Sequence, residues 1–200
     1  MVLPKLKEGS MGEKWEVFTN EIDLINNEPI KKWVKETLNN SPDYFFTAWA
    51  SSTGKYHPQC TCKDGGLLIH IKRAVYIANR LCNGWGIQGL DKDMVLSATI
   101  LHDIAKVGRG MGSFDDYENH PLNAEKYFYG VEHKENILDV TKSGLDCQTI
   151  SIINDCIRNH MGLWTPENAK KPLKDYTLLE LLVYTSDYLA TTKDLVTPKD

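Results

Sequence analysis

Asp91-Lys-Asp-Met-Val-Leu-Ser-Ala-Thr-Ile-Leu-His-Asp-Ile-Ala-Lys-Val107 is the stretch whose reading decides the fold. Met94, Val95, Ala98, Leu101 and Ala105 recur at three- and four-residue steps, the period of an amphipathic helix, and Asp91 is placed to act as its N-cap. Near its end, His102 and Asp103 stand inside the otherwise apolar run from Ile100 to Ala105. Burying an imidazole and a carboxylate is costly unless they are paired or bound to a cation. Adjacent side chains on a helix point about 100° apart, so both reach one ion only at a groove near a helix end. The plainer alternative is a polar helix end in which Asp103 pairs with Lys106, three residues on.

The same period extends outward in both directions. Leu67, Ile71, Ala74, Val75 and Ala78 predict a helix over Leu67–Leu81, broken by Cys82-Asn83-Gly84. Trp15, Phe18, Ile22 and Ile25, then Ile30, Trp33, Val34 and Leu38, make Gly12–Asn40 helical with a break at Glu28-Pro29, where proline suits a helix start. Further helices are predicted at Pro121–Phe128, His133–Asp139, Cys147–Met161 and Leu178–Lys193. The first ten residues read as a loose leader. Residues 43–66 read as a long loop, and loops of that length are often functional. No strand-like alternation and no internal repeat occur. The predicted class is all-α, a helical bundle, with residues 1–42 as an N-terminal helical extension and 43–200 as the domain that carries the chemistry.

Bulk composition narrows the partners. A chain of 200 residues, 42% hydrophobic and 25% charged, suits one globular domain with a real core. Its net charge of −4 offers no basic field for long nucleic acid, so a polyanion has to be met by local cations or metal. No apolar run approaches the roughly 18 residues that span a bilayer, and the N-terminus lacks a signal-peptide core. Five cysteines without framework spacing fit a reducing cytoplasm. Cys60 and Cys62, near His57, have no second Cys/His pair at finger spacing, so free thiols are expected over a zinc knuckle.

Two more residues join the pair. His70 opens a helix after Gly65-Gly66, and Asp187 lies within the apolar segment Val183–Leu189. Two imidazoles and two carboxylates from three helices suit a divalent transition metal such as Mn, Fe, Co, Ni or Zn, with positions left for water and substrate. The order His70, His102-Asp103, Asp187 resembles the H…HD…D pattern of the HD phosphohydrolase superfamily. The likeness covers about residues 45–195. Ser51–Pro58, Gly65–His70, Leu101–Lys106, Asn159–Trp164 and Ser186–Ala190 are similar to segments of small stand-alone HD-domain proteins and of the HD domain of certain 3′→5′ exoribonucleases. Ala105 departs from a common glycine, a change that a helix tolerates easily.

The resemblance implies a compact helical bundle around a metal site that hydrolyses a phosphate ester or anhydride through metal-activated hydroxide. Nucleotidase, nucleoside triphosphate hydrolase and phosphodiesterase activities all fall within it. In its two-metal branch the HD aspartate bridges the ions and further histidines hold the second. His120 and His160 stand at those places, so two ions are favoured over one. Asp103 and Lys106 are the implied catalytic pair, although spacing alone leaves Lys106 equally suited to an ordinary ion pair. Arg73, Lys55 and His57 are candidate substrate ligands, against the default of solvated side chains. His133 is expected to be a surface residue. Tyr44, Phe45, Trp49 and Trp164 are expected in the core more than against a base. The implied partner is a small phosphorylated substrate, a nucleotide first, with no long nucleic acid and no membrane. The oligomeric state is open, a homo-oligomer included. Two alternatives share the ligand set: a di-iron oxygenase, and a domain that binds a nucleotide without hydrolysing it.

Overall fold

The computed structural model describes residues 12–51, 54–106, 119–129, 144–167, 169–195 and 197–198, with side chains left out for 125–129. Among these residues all regular structure is helical, in agreement with the all-α expectation. The helices are α1 (Thr19–Ile22), α2 (Glu28–Asn39), α3 (Tyr44–Thr47), α4 (Gly66–Gly84), α5 (Gly89–Leu101), α6 (His120–Tyr129), α7 (Cys147–Arg158) and α8 (Leu178–Thr191). Short 3-10 turns stand at Lys14–Phe18, Gln59–Thr61, Gly162–Trp164 and Leu173–Asp175.

α5 is the central rod. Every residue from Asp93 to Leu101 is buried, as a helix that is apolar almost all round has to be. α4, α7 and α8 pack on it, α2 covers another side, α4 packs along α8, and α6 lies against α7. Phe18, Ile22, Trp33 and Leu38 share one core with Ile71, Val95, Leu101, Ile153 and Val183. Three helix starts are fixed by side chains. Asn27 accepts from the Ile30 N–H, Asp146 from the Thr149 N–H, and Thr177 and Glu180 form a capping box at α8.

Four of the boundaries that differ from the sequence reading have a clear physical setting. α5 starts at Gly89 after Gln88, so Asp91 is not the N-cap but a first-turn carboxylate, where the helix dipole still favours it. α4 runs through Cys82 to Gly84, because Cys82 is a core residue and not a breaker. α5 ends at Leu101 instead of continuing towards Val107. His102 Nδ1 donates to the Thr99 carbonyl at 2.7 Å, taking the acceptor that the next helical turn needs. The chain continues in tighter turns, with Ile104 N–H to Leu101 O and Lys106 N–H to Asp103 O. α7 likewise closes at Arg158, two residues before His160.

The described residues between 43 and 66 form more than a plain loop, with α3 and a 3-10 turn among them. Backbone bonds from Gly65 N–H to Thr47 O and from Leu67 N–H to Ala48 O tie them to the start of α4. A Cβ on Gly66 would lie 2.1 Å from the Thr61 carbonyl oxygen, so only glycine lets this strap close over the helix that carries His70. The leader and the predicted helix at His133–Asp139 lie outside the described residues.

Candidate metal centre

Six side chains from five helical segments converge. His70 comes from the second turn of α4, His102-Asp103 from the end of α5, His120 from the start of α6, His160 from the turn after α7, and Asp187 from α8. All are buried except Asp187, whose side chain is 17% exposed. His70 Nε2 lies 2.9 Å from Asp187 Oδ1 and 3.3 Å from His102 Nε2. His120 Nε2 lies 3.1 Å from His160 Nε2.

Asp103 faces both imidazole pairs. Its Oδ2 is 3.5 Å from His102 Nε2 and 3.8 Å from His70 Nε2, while its Oδ1 is 3.0 Å from His120 Nε2 and 3.7 Å from His160 Nε2. Lys106 Nζ closes on Oδ2 at 2.7 Å.

The tautomers follow from the helix ends. A carbonyl only accepts, so His102 Nδ1–H donates to Thr99 O, and His160 Nδ1–H donates to Ile157 O at 2.6 Å. Both carbonyls lie near helix C-termini, where acceptors go spare. In the neutral rings Nε2 is then a lone pair aimed inward, the second-shell arrangement that orients a metal-binding imidazole. Lone pairs and carboxylate oxygens crowded at these distances repel one another unless protons or cations lie between them. The donor set therefore fits divalent metal.

Electrostatics agree. Burial raises the cost of charge on Asp103, yet Lys106 and His102 hold its carboxyl well below the usual range. Asp187 is held down in the same way, with His102 and His70 outweighing burial. Burial pulls His70 and His120 below the ordinary imidazole value. His102 is also opposed by burial, but Asp103 and Asp187 lift it. The cluster thus presents ionised carboxylates beside the His70 and His120 rings, whose burial disfavours their charged form, a combination that attracts a cation.

A cleft of about 320 Å³ opens onto this cluster. His57 and Lys106 line it together with His70, Asp103, His120, His160 and Asp187. The His57 ring centre is 5.4 Å from that of His70, and burial, with His70 and Lys106 nearby, pulls its pKa to about 3. All six predicted metal ligands, Lys106 and His57 are therefore brought together. Two predicted substrate ligands are not. Lys55 is exposed with its ammonium 4.9 Å from the centre of the Tyr56 ring, outside the cleft lining. Arg73 is buried and donates to the carbonyls of Ala190, Thr192 and Leu195 at 3.2, 3.2 and 2.7 Å. Three residues are about 300° of helix, so Arg73 is about 60° away from His70 and points at the chain end instead.

The aromatic expectations divide. Phe45 is buried, Tyr44 donates its hydroxyl to Ile104 O, and Trp49 is exposed and donates to Asp64. Trp164, expected in the core, is exposed on the cleft wall, where Tyr56, Tyr184 and Tyr188 join it. The tyrosines escaped the sequence reading. The available signal was Tyr184 and Tyr188 at −3 and +1 from Asp187, one helical turn apart. Cys60 and Cys62 are not joined in a disulfide, and His133 lies outside the described residues.

A family profile described as HD domain matches residues 67–192, from the first turn of α4 to the end of α8. The match covers more than half of the chain and contains all six cluster residues: the chain belongs to the HD domain family, part of a superfamily of metal-dependent hydrolases. Domains of this family bind divalent metals, as the donor set here suits. None of the curated proteins and none of the solved structures matches the chain. Among the described residues no helix is long and apolar enough to cross a membrane.

Proposed function

We propose that the protein is a phosphohydrolase that cleaves a phosphate ester or anhydride of a nucleotide with two divalent ions. The observation that carries this reading is Asp103, whose two oxygens each face a separate buried imidazole pair beneath an open cleft. His70, His102, Asp103 and Asp187 would hold one ion, and Asp103, His120 and His160 the other. Ions bound there supply charge neutralisation and an activated water.

The chain's own residues do the rest. Thr99 O and Ile157 O keep the His102 and His160 rings turned so that Nε2 faces inward. Lys106, already held at the cleft floor, lends its positive charge to a phosphate oxygen or to the leaving group. His57, neutral at physiological pH, offers an uncharged hydrogen-bonding ring beside the phosphate. The cleft volume is at the lower end of the range that encloses small organic ligands, which favours a mononucleotide-sized substrate over a long chain.

The test is a metal-loaded phosphate-release screen. Protein loaded with Mn²⁺, Co²⁺ or Ni²⁺ is expected to bind the metal and to release phosphate from at least one nucleotide. Asp103→Ala removes the one carboxylate shared by both halves, so metal content and phosphate release both fall to background. Wild-type turnover in that variant sinks the proposal.

A further inference from the structure

The cleft wall carries more exposed aromatic surface than packing requires. Tyr56 is 62%, Trp164 60% and Tyr188 47% exposed, and all three line the cleft. Trp164 and Tyr188 lie nearly parallel, with ring centres 6.4 Å apart and planes 29° apart, and Tyr184 continues the row 6.2 Å from Tyr188. Aromatic faces left in water beside a binding cleft mark a surface that a ligand covers.

The shelf is built into the same segments as the cluster. Trp164 stands four residues after His160, and Tyr188 directly follows Asp187. Gly162 fixes the relation between them. It has φ 55°, and a Cβ there would lie 2.2 Å from the Tyr184 ring, so the turn bearing Trp164 is pressed onto the helix bearing Tyr184 and Tyr188. A side chain at 162 would push the shelf apart.

We propose that Trp164 and Tyr188 form a stacking subsite for a planar heterocycle of the nucleobase class, with the substrate's phosphate at Asp103 and Lys106. The subsite rests on the phosphohydrolase reading and extends it to specificity. Stacking uses the π-face that every base has, so the subsite tolerates any base but favours a phosphate that carries one. This protein should therefore separate base-bearing from base-free phosphates more sharply than one base from another.

The experiment compares kcat/KM for adenosine 5′-monophosphate, cytidine 5′-monophosphate and ribose 5-phosphate in the metal-loaded enzyme. Both nucleotides are expected to exceed ribose 5-phosphate by about 10-fold or more. In Trp164→Leu that ratio falls by about 10-fold, mostly through KM, and Trp164→Phe restores most of it. Tyr188→Leu moves the ratio in the same direction. An unchanged ratio in both leucine variants overturns the subsite. A second readout needs no turnover: adenosine alone quenches tryptophan fluorescence in the wild type and not in Trp164→Leu. Quenching without phosphate release from any substrate would sink the hydrolase reading and keep the subsite. Release at equal rates with and without a base, and no quenching, would do the reverse.

Discussion

The two halves of the cluster share Asp103 but are held in different ways. His70 and Asp187 come from within α4 and α8, and His102 from the residue that caps α5, three helices that pack on one another through the centre of the core. His120 and His160 come from the first residue of one helix and the turn beyond another, α6 and α7, which pack against each other. A ligand within a packed helix is fixed by many neighbours. One at a helix terminus is fixed by its last turn, and termini fray. Two of the first half's three ligands lie within packed helices while both imidazoles of the second stand at termini, so the first half should hold its ion more tightly and the second should lose its ion first.

The largest effect comes from removing one imidazole from each half. His102→Ala deletes a ligand and leaves Asp103 and Asp187 without the ring between them, so binding in both halves and turnover should fall to background. His160→Ala should keep about one ion per chain and lower turnover by about 100-fold or more, because one half is intact. Elemental analysis after dialysis against a series of buffered metal concentrations reads both numbers. Loss of all metal in His160→Ala, or one ion retained in His102→Ala, breaks the comparison.

A smaller effect tests why the first half is firm. Arg73 sits three residues beyond His70 and bonds carbonyls at and beyond the end of α8, the helix of Asp187. It ties two ligand-bearing helices together. Arg73→Met keeps the apolar stem and leaves those carbonyls without the guanidinium, at an expected cost of about 2–3 kcal/mol in unfolding free energy. Urea unfolding measures it. Metal stoichiometry at saturation should stay at the wild-type value, since no ligand is touched. Loss of metal without loss of stability would place Arg73 in the site after all.

How far the sequence was legible follows from what each residue costs. His102 and Asp103 stood out because ionisable groups inside an apolar run demand a partner, and the helical period around them announced α4, α5 and α8. The end of α5 did not show, because it depends on the His102 ring capturing Thr99 O, a choice made only once the ring is turned into the cluster. Arg73 reads as a candidate substrate ligand because a guanidinium suits phosphate, and nothing local indicates the carbonyls of Ala190, Thr192 and Leu195 that it bonds in the fold. Trp164 was expected inside because aromatic residues usually are. Its exposure depends on Gly162 and Tyr184, far apart in sequence and in contact only in the fold.

The smallest effect concerns the second half's support. Glu180, at the third position of α8, accepts from the Thr177 N–H at 2.6 Å, from Asn159 Nδ2 at 2.8 Å and from Lys171 Nζ at 2.7 Å. Asn159 immediately precedes His160, so this carboxylate braces the turn that presents a ligand. Burial alone would raise its pKa, but Lys171 and the Thr177 groups hold it below the ordinary value. A carboxyl depressed on folding adds stability that is present above the unfolded pKa of about 4.3, and is lost as pH falls through the lower folded value. Glu180→Gln should therefore cost about 1 kcal/mol at pH 7 and progressively less below about pH 4, where the wild type loses its own charge. Urea unfolding of both proteins at the two pH values reads the difference. In metal titrations at pH 7 the weaker ion should dissociate slightly earlier in the variant, and the tighter one at the wild-type concentration. A stability gap that does not change with pH would mean that the shape of the Glu180 side chain, and not its charge, holds the His160 turn.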